Sequence, residues 1–259
     1  MDQRELPCFA EEPLGAGEKL EPLSAGFSVI TSAAHTFNTD TILLANYSMP
    51  RRNELCADFG TGCGTIPLLW CARSCPRQVY AVELQQEACL LARRSVRLNR
   101  LEDQVQIVQE DINTLRQTRS LPLNLDLIAC NPPYQPNGAG HQNNRPERRI
   151  ARHEVACSFS NIAAVAAAFL RWGGRFVFCL RPERLCAAML TLHAAGLEPK
   201  RLRFVQQRAG KAPFLFLMQA VRGGRPGLTV EPVLLIESKN GGWSEEMLEI
   251  YGDYKEGRG

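Results

Sequence analysis

Four residues, Asn131-Pro132-Pro133-Tyr134, follow the apolar run "LDLIAC". Two consecutive prolines give no N–H to a strand ladder and hold the preceding backbone extended. A buried strand therefore stops there and presents an amide, a rigid carbonyl and an aromatic ring. That set suits chemistry on a planar amino nitrogen. Such a nitrogen is a poor nucleophile, because its lone pair is delocalised into the adjoining ring or carbonyl. Two acceptors that take its two hydrogens pull it toward a tetrahedral, more nucleophilic form. The side-chain oxygen of Asn131 and the carbonyl of Pro132 are the candidate acceptors, preorganised by the prolines. Tyr134 supplies a face for stacking on a planar substrate, and Pro133 shares the substrate side of the turn.

An earlier segment, "DFGTGCG", places Asp58 ahead of Gly60, Gly62 and Gly64. Glycines let the backbone turn sharply and let a ligand approach it closely. The spacing is G-x-G-x-G. The dinucleotide fingerprint G-x-G-x-x-G/A would put its last position on Thr65, which does not fit. An acid before the glycines suits a positively charged ligand. S-adenosylmethionine carries an ammonium and a sulfonium and no pyrophosphate, and Asp58 can reach the ammonium directly or through water. Glu83 ends "YAVEL", where a carboxylate can accept both ribose hydroxyls of an adenosine. Asp111, in "QED", can accept from the adenine amino group, with Ile112 flanking the ring. Asn131 borders the same pocket. One strand-end acid is ordinary, but three around a single glycine loop form a coherent cofactor site.

Strands and helices alternate from Glu54 onward, as a parallel sheet covered on both faces requires. "QVYAVEL", "VQIVQED", "LDLIAC", "RFVFCL", "PKRLRFVQQ" and "PFLFLMQAV" read as strands. "QQEACLLARRSVRLNR" reads as an amphipathic helix, and "NIAAVAAAFLRW" as a helix ended by Gly173-Gly174. "NTDTILLANYSM" is a helix with Asn38, Thr39 or Asp40 as N-cap. "EPVLLIES" is read as a final strand, followed by a helix from about Ser244. Residues 1–26 show no strong periodicity and are read as an irregular arm before one domain over 27–259. Such sheets bind ligands beyond the carboxyl ends of their strands, where the three acids and Asn131 fall.

The chain has 259 residues, is 45% hydrophobic and carries a formal charge of +3. This suits a soluble protein, and any contact with nucleic acid must come from a local basic feature. The N-terminus has no apolar leader core, and no run approaches the roughly 18 apolar residues of a membrane helix. A cytoplasmic location is expected. The ten cysteines include no tight C-x₂-C pair, so they are expected to be reduced, and no metal is expected.

"DFGTGCG", "AVEL", "QED" and "NPPY", in this order, resemble the class I methyltransferases that act on exocyclic or amide nitrogens. More narrowly, "FNTDTILLANY", "NPPY", "RIARHE", "RPERL" and "VRGGRPGL" resemble the bacterial tRNA adenine-N6 methyltransferase family, which modifies valine tRNA near the anticodon. The resemblance runs from about Phe27 to the C-terminus. It implies an α/β Rossmann-like fold with a seven-stranded, mostly parallel sheet of order 3-2-1-4-5-7-6, whose seventh strand is antiparallel. It also implies an enzyme that methylates adenine N6 in RNA with S-adenosylmethionine. A protein glutamine-N5 methyltransferase uses the same four residues on an amide, but usually carries a separate helical N-terminal domain. A methyltransferase-fold RNA-binding protein without activity would not need the intact Asn131 to Tyr134 motif.

Two basic features could hold RNA. Arg145, Arg148, Arg149 and Arg152 follow the catalytic loop at i, i+3, i+4 and i+7 and share a face if that segment is helical. Arg201, Arg203, Arg208 and Lys211 form a second cluster. Arg93, Arg94, Arg97 and Arg100 read as the solvated face of a helix, and His35 and His153 have no evident partner. The expected assembly is a monomer or weak dimer, with RNA as partner and no membrane.

Overall fold

Most residues of "LCADF", "QVYAVE" and "LDLIAC" are apolar, as strands buried on both faces demand. The computed structural model describes residues 13–132 and 158–252. In chain order the elements are β1 (Glu18–Pro22), β2 (Ser28–Ser32), α1 (Thr39–Tyr47), β3 (Leu55–Phe59), α2 (Thr65–Arg73), β4 (Gln78–Glu83), α3 (Gln86–Leu98), β5 (Val105–Gln109) and α4 (Leu115–Thr118). There follow β6 (Leu125–Cys130), α5 (Phe159–Phe169), β7 (Leu170–Leu180), α6 (Leu185–Ala194), β8 (Leu197–Gln206), β9 (Leu215–Arg222), β10 (Thr229–Val230), β11 (Leu234–Leu235) and α7 (Glu245–Tyr251).

The main sheet has the order β10-β8-β9-β7-β6-β3-β4-β5, with β11 also beside β8. β3 pairs in parallel with β4 and β6, β4 with β5, and β6 with β7. β9 is antiparallel to both β7 and β8. Without the two short strands beside β8, this is the expected seven-stranded order with its antiparallel seventh strand. "EPVLLIES" is not the continuous strand expected of it. Only Leu234 and Leu235 form a strand beside β8, and the Glu231 and Ile236 N–H groups bond to β8 on either side of them, while Pro232 has no N–H to give.

Alternation of side chains sorts the core into two layers. Cys56, Val79, Ala81, Leu127, Ala129, Val177 and Cys179 face one layer, closed by α1, α2, α3 and α7. Ala57, Phe59, Val82, Ile128, Cys130, Phe176 and Phe178 face the other, closed by α4, α5 and α6.

Two expectations need correction. Within residues 1–26, Glu18–Pro22 form a strand paired antiparallel to β2, so that stretch is not wholly irregular. No apolar alternation announces this strand, because its side chains are exposed or half-buried. Tertiary contacts hold the hairpin: Arg94 meets Glu18 at 2.7 Å, and the Ile30 N–H donates to Ser95 Oγ at 2.9 Å. The second correction concerns Gly173-Gly174. The helix ends at Phe169, and both glycines lie within β7, at a shift in its register with β6.

That shift explains Gly174. A Cβ there would lie 2.9 Å from the carbonyl oxygens of both Arg171 and Leu125. Backbone oxygens cannot swing aside as a side chain can, so Gly174→Ala should destabilise the fold by roughly 1–3 kcal/mol. Thermal denaturation should show a melting temperature lower by several degrees. An unchanged value would show that the β6–β7 junction yields freely.

Candidate active site

The same alternation that builds the core aims the site. Asp58 shares the parity of Cys56, Glu83 that of Ala81, and Asn131 that of Ala129, so all three emerge on the face covered by α1, α2 and α3. Asp111, two residues beyond β5, keeps the parity of Ile107. Because β3, β4, β5 and β6 are parallel and adjacent, these groups gather at one end of the sheet.

The glycine loop follows β3 directly. Gly60, Gly62 and Gly64 have φ of 77°, 57° and 89°, in the left-handed region that residues with a Cβ rarely adopt. The first two differ from the third in their surroundings. A Cβ on Gly60 or Gly62 would meet nothing within 4 Å, whereas one on Gly64 would touch the Cβ of Ala92 at 3.4 Å. Gly64 therefore lets α2 pack against α3, while Gly60 and Gly62 leave a backbone cradle open to a ligand. The Gly60 and Thr61 N–H groups donate to the Val82 carbonyl, at 2.9 and 3.0 Å, which ties the loop to β4.

Glu83 is buried and fixed by two backbone donors. Its Oε2 accepts from Gly62 N–H and its Oε1 from Gln85 N–H, each at 2.9 Å. Each oxygen has a further lone pair to offer a hydroxyl. Asp111 Oδ1 accepts from the backbone and side-chain N–H groups of Asn113, at 2.9 and 3.0 Å. Ile112 packs partly against the second core layer.

Asp58 is 1% exposed, and neither carboxylate oxygen has a hydrogen-bond partner among the described residues. The hydroxyl of Thr61 is buried and likewise unpartnered. Burial raises the Asp58 pKa to about 7, the nearby Glu83 charge adds to the rise, and the Thr61 hydroxyl opposes it. A buried carboxylate with only the nearby Thr61 hydroxyl to turn toward it is costly. It is suited to a cation that supplies both charge and hydrogens.

Asn131 emerges from the end of β6, and Pro132 beside it is buried. The Asn131 Nδ2 donates to Thr41 Oγ1 of α1 at 3.3 Å, and its Oδ1 accepts from Cys179 Sγ of β7 at 3.2 Å. Neither partner was legible as a site residue. Thr41 stands in "NTDT" as part of a helix start, and Cys179 as one apolar residue of a strand. Pro133, Tyr134, Arg145, Arg148, Arg149, Arg152 and His153 lie outside the described residues.

The second basic cluster divides. Arg201 pairs with Glu231 at 2.5 Å and lies 4.6 Å over the Tyr47 ring. Arg203 pairs with Glu246 at 2.5 Å. Both serve to fasten β8 to the C-terminal segment. Arg208 and Lys211 are exposed on the turn between β8 and β9, at the same end of the sheet as Asn131. Arg94 is likewise an ion-pair partner of Glu18, and His35 has Glu87 at 3.6 Å. No group of three or more His, Cys, Asp or Glu residues that could hold a metal occurs among the described residues. None of the described helices is long and apolar enough to cross a membrane.

A sheet of this order, with a glycine loop after its central strand and an acid ending the next, defines a class I methyltransferase. Known proteins agree. The chain belongs to the methyltransferase small domain family, whose profile matches residues 30–187. A tRNA1(Val) (adenine(37)-N6)-methyltransferase of Tolumonas auensis is 26% identical over 217 residues, 83% of this chain and 88% of its own. One of Haemophilus influenzae is 27% identical over 224 residues, 86% of this chain and 92% of its own. A protein described as a "predicted O-methyltransferase" from Agrobacterium tumefaciens superposes with a TM-score of 0.68 at 20% identity, covering 83% of this chain and 97% of its own. TrmN from Thermus thermophilus gives 0.51 at 24% identity over 70% of this chain and 48% of its own. These two structures share the fold. The class implies S-adenosylmethionine as methyl donor, and the unpartnered Asp58 carboxylate and the open cradle at Gly60 and Gly62 fit its ammonium and its bulk.

The raised pKa of Asp58 makes stability without ligand depend on pH. Between pH 4 and about 7 the unfolded chain loses this proton while the folded protein keeps it, so this group's contribution falls as pH rises and levels off above 7. Asp58→Asn, neutral throughout, should match wild type near pH 4.5 and melt higher by about 5 °C or more at pH 8. A melting difference independent of pH would show that Asp58 ionises normally.

Proposed function

We propose that the protein transfers the methyl group of S-adenosylmethionine to the N6 nitrogen of an adenine in RNA, a tRNA base near the anticodon. The observation that carries this reading is the emergence of Asn131 on the same sheet face, and at the same end, as Asp58 and Glu83. An amide acceptor thus stands beside a pocket built for a cationic nucleoside. The names of the Tolumonas and Haemophilus relatives support adenine N6 as the acceptor and tRNA as its carrier. In this reading the enzyme works in the cytoplasm, where that RNA is found.

The residues divide the work by their chemistry. Asp58 holds the ammonium of the donor, Gly60 and Gly62 admit it against the backbone, and Gly64 sets the turn. Glu83 accepts from the ribose hydroxyls, and Asp111 with Ile112 holds the adenine. When bound, the donor supplies an electrophilic methyl on a sulfonium. Asn131 Oδ1 and the Pro132 carbonyl accept the two hydrogens of the target amino group, so its lone pair turns toward that methyl. No general base is assigned, because the nitrogen becomes acidic on methylation and releases its proton to solvent. Tyr134 and Pro133 stack and seat the base, which must leave its loop to arrive there.

Mass spectrometry of nucleosides from total tRNA, incubated with and without the enzyme, tests the reading directly. N6-methyladenosine should accumulate. Methylation of a glutamine-containing protein with no change in the tRNA would hand the site to amide chemistry instead. Asn131→Ala should lower turnover on the order of 10²–10³ with little change in donor affinity, because the lost acceptor acts as the nitrogen rehybridises. Near-normal turnover would remove the amide from the mechanism.

The basic residues should act through charge alone. Replacing Arg148, Arg149 and Arg152 with Ala should weaken RNA binding and flatten its salt dependence, with donor affinity unchanged. If both survive, the substrate's phosphates are held elsewhere, and Arg208 and Lys211 at the rim of the sheet become the residues to replace.

A further inference from the structure

The amide of Asn131 can serve the proposed methyl transfer only if its oxygen, and not its nitrogen, faces the target. A chain of hydrogen bonds starting in α1 fixes that choice. The backbone N–H of Thr41 lies 3.1 Å from Asn38 Oδ1. A backbone N–H can only donate, so the Asn38 atom there is the oxygen. The Thr41 hydroxyl lies 3.1 Å from the same oxygen and donates to it. With its one proton committed, the hydroxyl can only accept from Asn131, whose nearer atom, at 3.3 Å, is Nδ2. The opposite end of the amide is then Oδ1. The Cys179 thiol, 3.2 Å from that oxygen, is a weak donor and is consistent with the same polarity.

We infer that Thr41, oriented by Asn38, is the positioning residue that sets the polarity of the Asn131 amide and so turns its oxygen to the substrate amino group. α1 is itself held in place. Trp70 Nε1 donates to the Ala45 carbonyl at 3.2 Å, and the Tyr251 hydroxyl donates to Thr39 Oγ1 at 3.2 Å. The relay therefore reaches the site from a helix anchored by α2 and α7. This inference rests on the methyl transfer proposed above for its consequence, but not for its geometry.

The test uses the full chain. Thr41→Val keeps the shape and removes the hydroxyl, and Thr41→Ser keeps the hydroxyl. The Asn131 side-chain ¹⁵NH₂ resonances, assigned by their loss in Asn131→Ala, report the hydrogen bond without any substrate. They should shift in Thr41→Val and return toward wild type in Thr41→Ser. In turnover, Thr41→Val should lower kcat about tenfold, the scale of one oriented hydrogen bond. KM for tRNA and calorimetric affinity for S-adenosylmethionine should stay within twofold, and Thr41→Ser should recover most of kcat. In the Asn131→Ala background, Thr41→Val should cost nothing further, since the amide it orients is gone. Unmoved resonances, or losses that simply add in the double variant, overturn the relay. Shifted resonances in a protein that leaves tRNA unmethylated would uphold the relay and sink the methyl-transfer reading.

Discussion

A buried carboxylate with no backbone donor, on an inner strand of the sheet, is the constraint on which the rest of this structure depends. Asp58 stands on β3, between its parallel neighbours β4 and β6, and is sealed from water. The protein tolerates this group by keeping its proton until about neutral pH. In the loop beyond it, the N–H groups of Gly60 and Thr61 go to Val82, that of Gly62 to Glu83 and that of Gly64 to Thr61, none of them to Asp58. The left-handed glycines swing the backbone aside without placing a side chain over the acid. Stability is surrendered locally, and the acid is left suited to the cation of the proposed donor.

The second organising element is strand parity. Side chains of period two, on parallel strands in fixed register, place an acid, a second acid and an amide on one face without any loop having to reach for them. The amide of Asn131 thereby inherits the rigidity of β6, and Pro132 extends that rigidity by one carbonyl. α1 then covers the same face. It closes the first core layer with Ile42, Leu43 and Leu44, and its first turn meets the amide. Packing and positioning are thus carried by one helix, whose apolar side fixes where its polar end stands.

Charge shows how far a cluster in sequence can mislead. Arg201, Arg203, Arg208 and Lys211 look like one basic patch, yet the end of β8 at Gln206 and partners drawn from the C-terminal segment separate them. Glu231 and Glu246 approach the first two arginines only because the chain after β9 returns along β8. Surface pairs of this kind contribute little stability individually. Their effect here is to neutralise two of the four cations, while Arg208 and Lys211 stay exposed at the rim.

The sequence by itself determined the class of fold, the strand order through its resemblance, and which residues stand at the strand ends of the proposed site. Those signals are local: apolar runs, a glycine spacing, an acid at each strand end, prolines that stop a strand. It could not reveal β1, because a strand with exposed or half-buried side chains has no apolar alternation, and its pairing and anchors lie on β2 and α3. It misread Gly173-Gly174 as a helix stop, because a glycine required by carbonyls of β6 and β7 looks the same in sequence as one required by a helix end. Only the tertiary structure decided which glycines face open space and which face Ala92, and which arginines are already paired. The orientation of the Asn131 amide also belongs to tertiary structure. Asn38, Thr41 and Asn131 are separated by up to 93 residues in sequence and are joined only where α1 crosses the end of β6.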